Sequence, residues 1–195
     1  EWQWNSTCAS DVSMDGKSGS FTAVDSKLRG RLLIHPKNPR QWMTEDGHWF
    51  LNLNDTAYFL LCQRDANGNL VSDDDAMQYV ADDVERGITS VRCFVANGAS
   101  GFSESPQQWE DWYFPEKTHD QLRLNNLQLA DHRLRLLLER FPDVAVQLIL
   151  FPLEGYNRDE HFWTALTAIQ RERLLRNLVA RYAAYPQVFW LTTND

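Results

Sequence analysis

Short apolar runs recur along the chain, each bounded by residues that favour turns. The last three cover 88–98 (ITSVRCFVANG), 144–156 (VAVQLILFPLEGY) and 188–195 (VFWLTTND). Nearly continuous apolar character over four to eight residues is typical of strands buried on both faces. The pattern therefore predicts β-strands at these three places, after an earlier strand that ends at Asn54-Asp55-Thr56.

Between these runs, apolar residues recur at helical spacing. The helix predicted over Ser72–Gly87 begins with Ser and Asp, ends with Gly and carries an apolar stripe of Met77, Val80 and Val84. A second helix is predicted over 122–141 (LRLNNLQLADHRLRLLLERF). A third is predicted over 169–185, with one apolar face formed by Leu175, Leu178, Val179 and Tyr182. The segment between the second strand and the second helix is predicted to be a long aromatic loop.

A different pattern precedes residue 30. Residues 1–29 are short, alternating and rich in Gly and Ser, as in the strands and turns of an antiparallel sheet, and they are too few to bury a core alone. Residues 31–61 predict two short strands joined by a turn at Asp46-Gly47, the second ending at Asn54-Asp55-Thr56 and passing into a helix. We therefore predict a domain boundary between residues 29 and 30.

Strands that alternate with helical crossovers predict a parallel sheet in an α/β fold. A dinucleotide-binding sheet is the first alternative, but the chain has no GxGxxG after a strand and no GxxxxGK[ST]. Polar residues instead close each strand, at Asn54-Asp55, Asn97, Glu154 and Asn194-Asp195. A (β/α)8 barrel gathers its site from such positions. Four βα units make half a barrel, so we expect the chain to be a fragment, the first half of a (β/α)8 TIM barrel after a β-rich remnant.

Composition and charge exclude several partners. The net charge of −8 opposes binding to a phosphate backbone, so no nucleic acid partner is expected. No apolar run approaches the ~18 residues of a membrane span, so no membrane contact is expected. The three Cys and five His lack metal-ligand spacing, and Cys93 lies in an apolar strand as a buried thiol. Eight Trp, six Tyr and ten Phe supply core residues and are also suited to stacking on sugar rings.

Two segments carry a family resemblance. GRLLIHPKNPRQWMTEDGHWFLNLNDTAYFLL (30–61) resembles the opening of the apiosidase-like glycoside hydrolases, which are barrels related to a large clan of retaining enzymes. VARYAAYPQVFWLTTND (179–195) is similar to their fourth strand with its preceding helix. EWQW and KSGSF, within 1–29, resemble the tail of the β-sandwich domain that often precedes such barrels, so the resemblance covers nearly the whole chain.

The resemblance implies a function and a mechanism. Retaining glycoside hydrolysis uses two carboxyl groups and no cofactor. In the resembling clan the acid/base closes strand four, which is Asp195 here, and an Asn before it, here Asn194, contacts the sugar. The wider clan has Glu at the acid position, so Asp195 is one methylene shorter. The nucleophile comes from strand seven, outside this chain, which implies that the chain alone is inactive. The substrate implied is a plant or algal polysaccharide or its oligosaccharides, and the implied location is secreted or periplasmic.

Each candidate residue also has a structural interpretation. Asp195 caps the next helix if it is not catalytic, and Asp55 either faces the sugar or starts a helix. Asn97 either contacts a sugar hydroxyl or begins a turn with Gly98. Trp112 either stacks on sugar or packs over the helices, and Tyr156 is a strand-three loop residue available for substrate contact. Two rival functions stay open: a non-catalytic carbohydrate-binding barrel, and a polysaccharide lyase on the same scaffold.

Overall fold

The computed structural model of the chain describes residues 1–26, 28–65, 67–95, 106–151 and 162–193, of which 106–109, 151, 162 and 193 are described by their backbone alone. At the amino terminus, β1 (Trp2–Asn5) and β2 (Ser18–Phe21) form an antiparallel hairpin in which Trp2 pairs with Phe21. The antiparallel character expected for this segment is therefore observed. That the hairpin belongs to a β-sandwich stays a prediction.

The segment 30–56 forms four short strands rather than the two predicted. β3 (Leu32–Ile34), β4 (Trp42–Thr44) and β5 (Trp49–Phe50) make an antiparallel sheet in the order β3-β4-β5. The turn predicted at Asp46-Gly47 joins β4 to β5, with Gly47 at φ +91°, a left-handed conformation that favours glycine. The first predicted strand is broken between β3 and β4 because Pro36 and Pro39 have no N–H to donate to a ladder.

The remaining strands form the predicted parallel sheet. β6 (Asn54–Thr56), β7 (Ser90–Phe94), β8 (Ala145–Phe151) and β9 (Val188–Thr193) are neighbours in the order β6-β7-β8-β9, and all three pairings are parallel. Because all of these strands run in the same direction, their carboxyl ends meet along one edge, which we call the carboxyl edge.

The three predicted helices are present, and the first begins at the Ser predicted to cap it. α1 (Asp73–Glu85) begins at Ser72, whose hydroxyl accepts a hydrogen bond from the Asp75 N–H at 3.1 Å. α3 (Leu124–Arg140) follows β7, and α5 (Ala168–Tyr182) follows β8. α5 starts with a reciprocal capping box in which Thr167 and Gln170 bond to each other's backbone N–H.

Two local expectations are wrong. The helix expected directly after Thr56 does not form: the described residues 57–62 make turns, closed by hydrogen bonds such as Cys62 N–H to the Phe59 carbonyl at 2.8 Å. Burial of Leu60, Leu61 and Cys62 against the core selects these turns over a helix. The loop expected after β7 contains α2 (Pro106–Tyr113), and a short α4 (Phe162–Ala165) precedes α5. Both segments are too short for periodicity to reveal them.

The helices bury narrower stripes than the apolar patterns predicted. On α5 the buried residues are Leu174, Leu178 and Tyr182, spaced four apart, whereas Val179 is 39% exposed. On α1 Val80 is buried and Val84 is 40% exposed. A stripe with four-residue spacing follows one side of the helix, and that side faces the sheet.

The antiparallel sheet lies against the amino ends of the parallel strands. Arg29 Nε pairs with Asp143 Oδ1 at 2.8 Å just before β8, and the Trp42 ring lies 6.5 Å from that of Phe189 at the start of β9. Phe50 is buried at this junction, where it lines a small cavity with Ala145. The amino ends of the parallel strands are thus covered by the antiparallel sheet, at the edge opposite the carboxyl edge.

Candidate active site

The two faces of the parallel sheet differ in character. Successive side chains of a strand point to opposite faces, and the face covered by helices carries buried apolar residues, among them Val91, Cys93, Val146 and Leu148. We call the other face the polar face, because Asn54, Ser90, Arg92 and Gln147 lie on it in register. Arg92 places a guanidinium on the polar face, level with Thr56 at the carboxyl end of β6.

Among the described residues, the Arg92 side chain contacts Tyr58 in two ways. Its Nη2 donates to the Tyr58 hydroxyl at 3.1 Å, and its guanidinium carbon lies 5.4 Å from the centre of the Tyr58 ring. The Arg92 Nε is buried and has no hydrogen-bond partner among the described residues. A buried donor without an acceptor is costly. The Arg92 side chain therefore has a buried donor, Nε–H, available to an oxygen atom that the described residues do not supply.

The base of the polar face is a closed hydrogen-bond network. Asn54 Nδ2 donates to the Ser90 hydroxyl at 2.9 Å, and that hydroxyl donates to Asn52 Oδ1 at 2.5 Å. These bonds join the amino ends of β6 and β7 and satisfy fully buried Ser90. The network therefore ties the two strands together below Arg92 and satisfies the buried Ser90 hydroxyl.

Asp55 lies on the helix-covered face of the sheet. Tyr79 of α1 donates its hydroxyl to Asp55 Oδ2, and burial followed by the nearby Asp55 raises the pKa of this phenol. Asp83, one turn further along α1, also lies near Asp55. Burial, together with the Asp55 charge, raises the pKa of the Asp83 carboxyl. This placement favours a structural role for Asp55 over the predicted sugar contact, and it differs from the predicted helix cap as well.

Trp112 is 5% exposed and belongs to the buried core cluster. Of the two roles predicted for it, packing is the one its burial supports, because a buried indole offers no free face to a sugar. The other predicted site residues, Asp195, Asn194, Asn97 and Tyr156, lie outside the described residues.

A charged cluster that the sequence did not reveal follows α2. Glu110 accepts hydrogen bonds from Lys117 and from His119 Nε2, the latter at 2.5 Å. Burial raises the pKa of Glu110, but these hydrogen bonds outweigh burial and hold it below its usual value. His119 is buried with φ +57°. The residues on either side of it accept hydrogen bonds at their carbonyls from the first turns of α5, Thr118 from Gln170 and Asp120 from Arg173. The spacing of nine residues between Glu110 and His119 matches no motif.

The described residues offer no site for a metal and no membrane span. Nowhere in the ranges that the structure describes do three His, Cys, Asp or Glu side chains gather as metal ligands would. Within the same ranges, every helix is too short or too polar to cross a bilayer.

Comparison with known proteins identifies the fold. No protein-family model and no curated protein matches the chain. A solved structure from Bacteroides vulgatus ATCC 8482, described provisionally as a glycoside hydrolase, superposes with a TM-score of 0.65 at 19% identity, over 95% of this chain and 36% of its own. The chain has the fold of part of a glycoside hydrolase. A glycoside hydrolase family 5 structure from the same organism gives a TM-score of 0.55 at 13% identity, over 86% of this chain and 33% of its own.

The chain spans about a third of the length of these solved structures. At such low identity the likeness to these structures shows the fold alone.

Proposed function

We propose that the chain is the first half of the (β/α)8 barrel of a retaining glycoside hydrolase of the apiosidase-like kind, preceded by part of a β-sandwich domain. The observation that carries the proposal is the four-stranded parallel sheet with helices on one face, a polar opposite face and its carboxyl ends along one edge. This is the arrangement in which (β/α)8 enzymes assemble their sites. The likeness to glycoside hydrolase structures supports the same choice.

In this proposal Asp195 is the general acid and base. The last described strand, β9, ends at Thr193, and Asn194-Asp195 follow directly. A side chain at this position follows the carboxyl end of a strand whose neighbour, β8, is paired with it up to Phe151 and Thr193. A carboxyl group there can protonate the oxygen of the leaving sugar, while Asn194 orients the sugar through a hydroxyl. The nucleophile is a second carboxylate supplied by sequence beyond this chain.

The other proposed contacts come from neighbouring loops. Asn97 follows β7 and Tyr156 follows β8, so both belong to connections that leave the carboxyl edge. Arg92 adds a positive charge on the polar face below them, with its buried Nε free to donate to an oxygen. Such a charge stabilises a carboxylate in the site. Asp55 and Trp112 are not included, because one faces α1 and the other is buried in the core.

The proposed substrate is a plant or algal polysaccharide or its oligosaccharides, cleaved without a cofactor by a secreted or periplasmic enzyme. The loops that would choose the sugar follow β7 and β8. The proposal for the chain by itself is that it lacks activity, since it carries one of the two carboxyl groups that the reaction needs.

The test compares leaving groups in the full-length gene product. Asp195→Asn should lower turnover of substrates with poor leaving groups about 10²–10⁴-fold, the usual contribution of general acid catalysis. The loss should be much smaller in the first step on dinitrophenyl glycosides, whose leaving group needs no proton. Added azide should partly restore turnover of those activated substrates, because a small anion attacks the glycosyl-enzyme without help from a base.

Asp143→Asn is the matched control, since Asp143 is an exposed carboxylate at the opposite edge of the same sheet. Asp143→Asn should leave the rates on substrates with poor and with good leaving groups unchanged. Equal losses on good and poor leaving groups for Asp195→Asn would remove Asp195 from the mechanism. Sugar binding without turnover in the unmodified protein would favour the carbohydrate-binding alternative. Unsaturated products would favour the lyase.

A further inference from the structure

The Arg92 guanidinium is held from one side by a single residue. The Tyr58 hydroxyl accepts from Arg92 Nη2 at 3.1 Å, and the Tyr58 ring lies beside the guanidinium at 5.4 Å. Arg92 Nε, which has no partner among the described residues, is thereby fixed in direction. We propose that Tyr58 is a positioning residue, which aims the free Nε–H of Arg92 at an oxygen atom in the site at the carboxyl edge.

Tyr58 is itself held firmly enough to act in this way. Its carbonyl accepts a hydrogen bond from the Phe94 N–H at 2.8 Å, which extends the pairing of β6 and β7 past the end of the regular ladder. Its ring packs on Phe94, with centroids 4.9 Å apart, and on Phe59 at 6.4 Å. A ring fixed through its backbone and through two aromatic contacts transmits its position to the group that its hydroxyl binds.

The acceptor must be an oxygen with substantial negative charge. Among the described residues the Arg92 guanidinium is bonded to a hydroxyl, and a buried guanidinium N–H gains most from a carboxylate or from an oxygen that becomes negative during the reaction. Whether that oxygen belongs to the protein or to the substrate, the proposed effect of Tyr58 on it passes through Arg92. The consequence for catalysis rests on the proposed glycoside hydrolase function, whereas the arrangement of Tyr58 and Arg92 does not.

The kinetic experiment is a double-mutant cycle in the full-length gene product. Tyr58→Phe keeps the ring and removes the hydroxyl, and it should lower kcat/KM on aryl glycosides about 10-fold, the size expected for one hydrogen bond to a charged group. In an Arg92→Met background the same change should cost less than about twofold, since Met offers no hydrogen-bond donor to the Tyr58 hydroxyl. Equal costs in both backgrounds would overturn the proposal.

Two further variants separate positioning from folding. Tyr79→Phe removes a hydroxyl of the same βα unit that bonds to Asp55 on the helix-covered face, and it should change kcat/KM less than about twofold. Tyr58→Trp restores a large ring with an N–H that cannot accept from Arg92, so it should lose activity as Tyr58→Phe does. Full activity in Tyr58→Trp would show that only the packing of a ring is needed, against the proposal.

A spectroscopic measurement does not depend on turnover. The ¹H–¹⁵N signal of Arg92 Nε is assigned by its disappearance in Arg92→Lys. Tyr58→Phe should shift this signal and accelerate its exchange with water, and Tyr79→Phe should leave it in place. If the protein cleaves no glycoside, the proposed function fails while this signal still decides the role of Tyr58. An Arg92 signal that is unchanged in Tyr58→Phe refutes the positioning role.

Discussion

Arg133 of α3 offers the sharpest test of how the carboxyl edge is built. Its side chain is 2% exposed. Its three nitrogens reach Asp73 Oδ1 at 3.1 Å, the Leu60 carbonyl at 3.4 Å, and the Val71 carbonyl. One guanidinium thus ties α3 to two places in the segment between β6 and α1. One of them, Leu60, lies two residues after Tyr58, and the other is Val71, next to the start of α1. Replacing it by Met keeps the apolar stem and most of the volume but removes every one of these bonds.

The expected loss of stability in Arg133→Met follows from the acceptors that lose their hydrogen-bond donor. Arg133→Met leaves two carbonyls without that donor, each worth about 1 kcal/mol or more when buried. It also leaves Asp73 without its guanidinium partner, although this carboxylate is 40% exposed and keeps His132 Nε2 at 2.7 Å, so the loss there is discounted. We expect the free energy of unfolding to fall by about 3 kcal/mol, toward the low end of the range for breaking a buried ion pair.

The assay is urea unfolding of the full-length gene product, followed by circular dichroism and tryptophan fluorescence. Arg135→Met is the matched control, because Arg135 lies two residues further along α3 with a 61% exposed side chain and only a 3.9 Å pair with Glu139. It should cost less than about 0.5 kcal/mol. Limited proteolysis should also cut residues 61–70 faster in Arg133→Met. A fall in unfolding free energy of less than about 1 kcal/mol in Arg133→Met, or equal falls in the two variants, would refute this role of Arg133.

Two further outcomes follow from the described contacts. Burial and the Asp55 charge raise the pKa of Asp83 above its ordinary value of 3.8, so the folded state binds the proton more tightly. The free energy of unfolding should therefore fall as pH rises from 3.8 through the raised pKa of Asp83. Asp83→Asn should remove this dependence of stability on pH. Urea midpoints at pH 4 and pH 8 check this, and identical slopes in both proteins would contradict it. Residues 1–195 expressed alone should be poorly soluble, because Leu51 and Leu53 are exposed beside the unpaired edge of β6. They should also be inactive, because the reaction needs a second carboxyl group. Light scattering and thermal melting check this, and a monomer that melts cooperatively without a partner would contradict the half-barrel.

The regular elements were predictable because their signals are local. Ser72 and the acidic residues after it act within one turn of α1, and the apolar runs of β7, β8 and β9 depend only on neighbouring residues. Polar residues at strand ends likewise pointed to the carboxyl edge. The turns at 57–62 were not predictable in the same way, since burial of Leu61 and Cys62 against distant elements overrides a helical pattern.

What the sequence determined by itself was therefore the alternation of the longer helices α1, α3 and α5 with β6 to β9, the parallel sheet and the edge at which we propose the site. The tertiary structure decided which side chains meet at that edge. Arg92 and Tyr58 are 34 residues apart, and Arg133 and Leu60 are 73 apart. Strand alternation assigns Asp55 to one of two faces, but only the packing of α1 makes that face the covered one. The physical reason is that caps and periodicity act over a few residues, whereas partners for buried charges are chosen when whole elements pack.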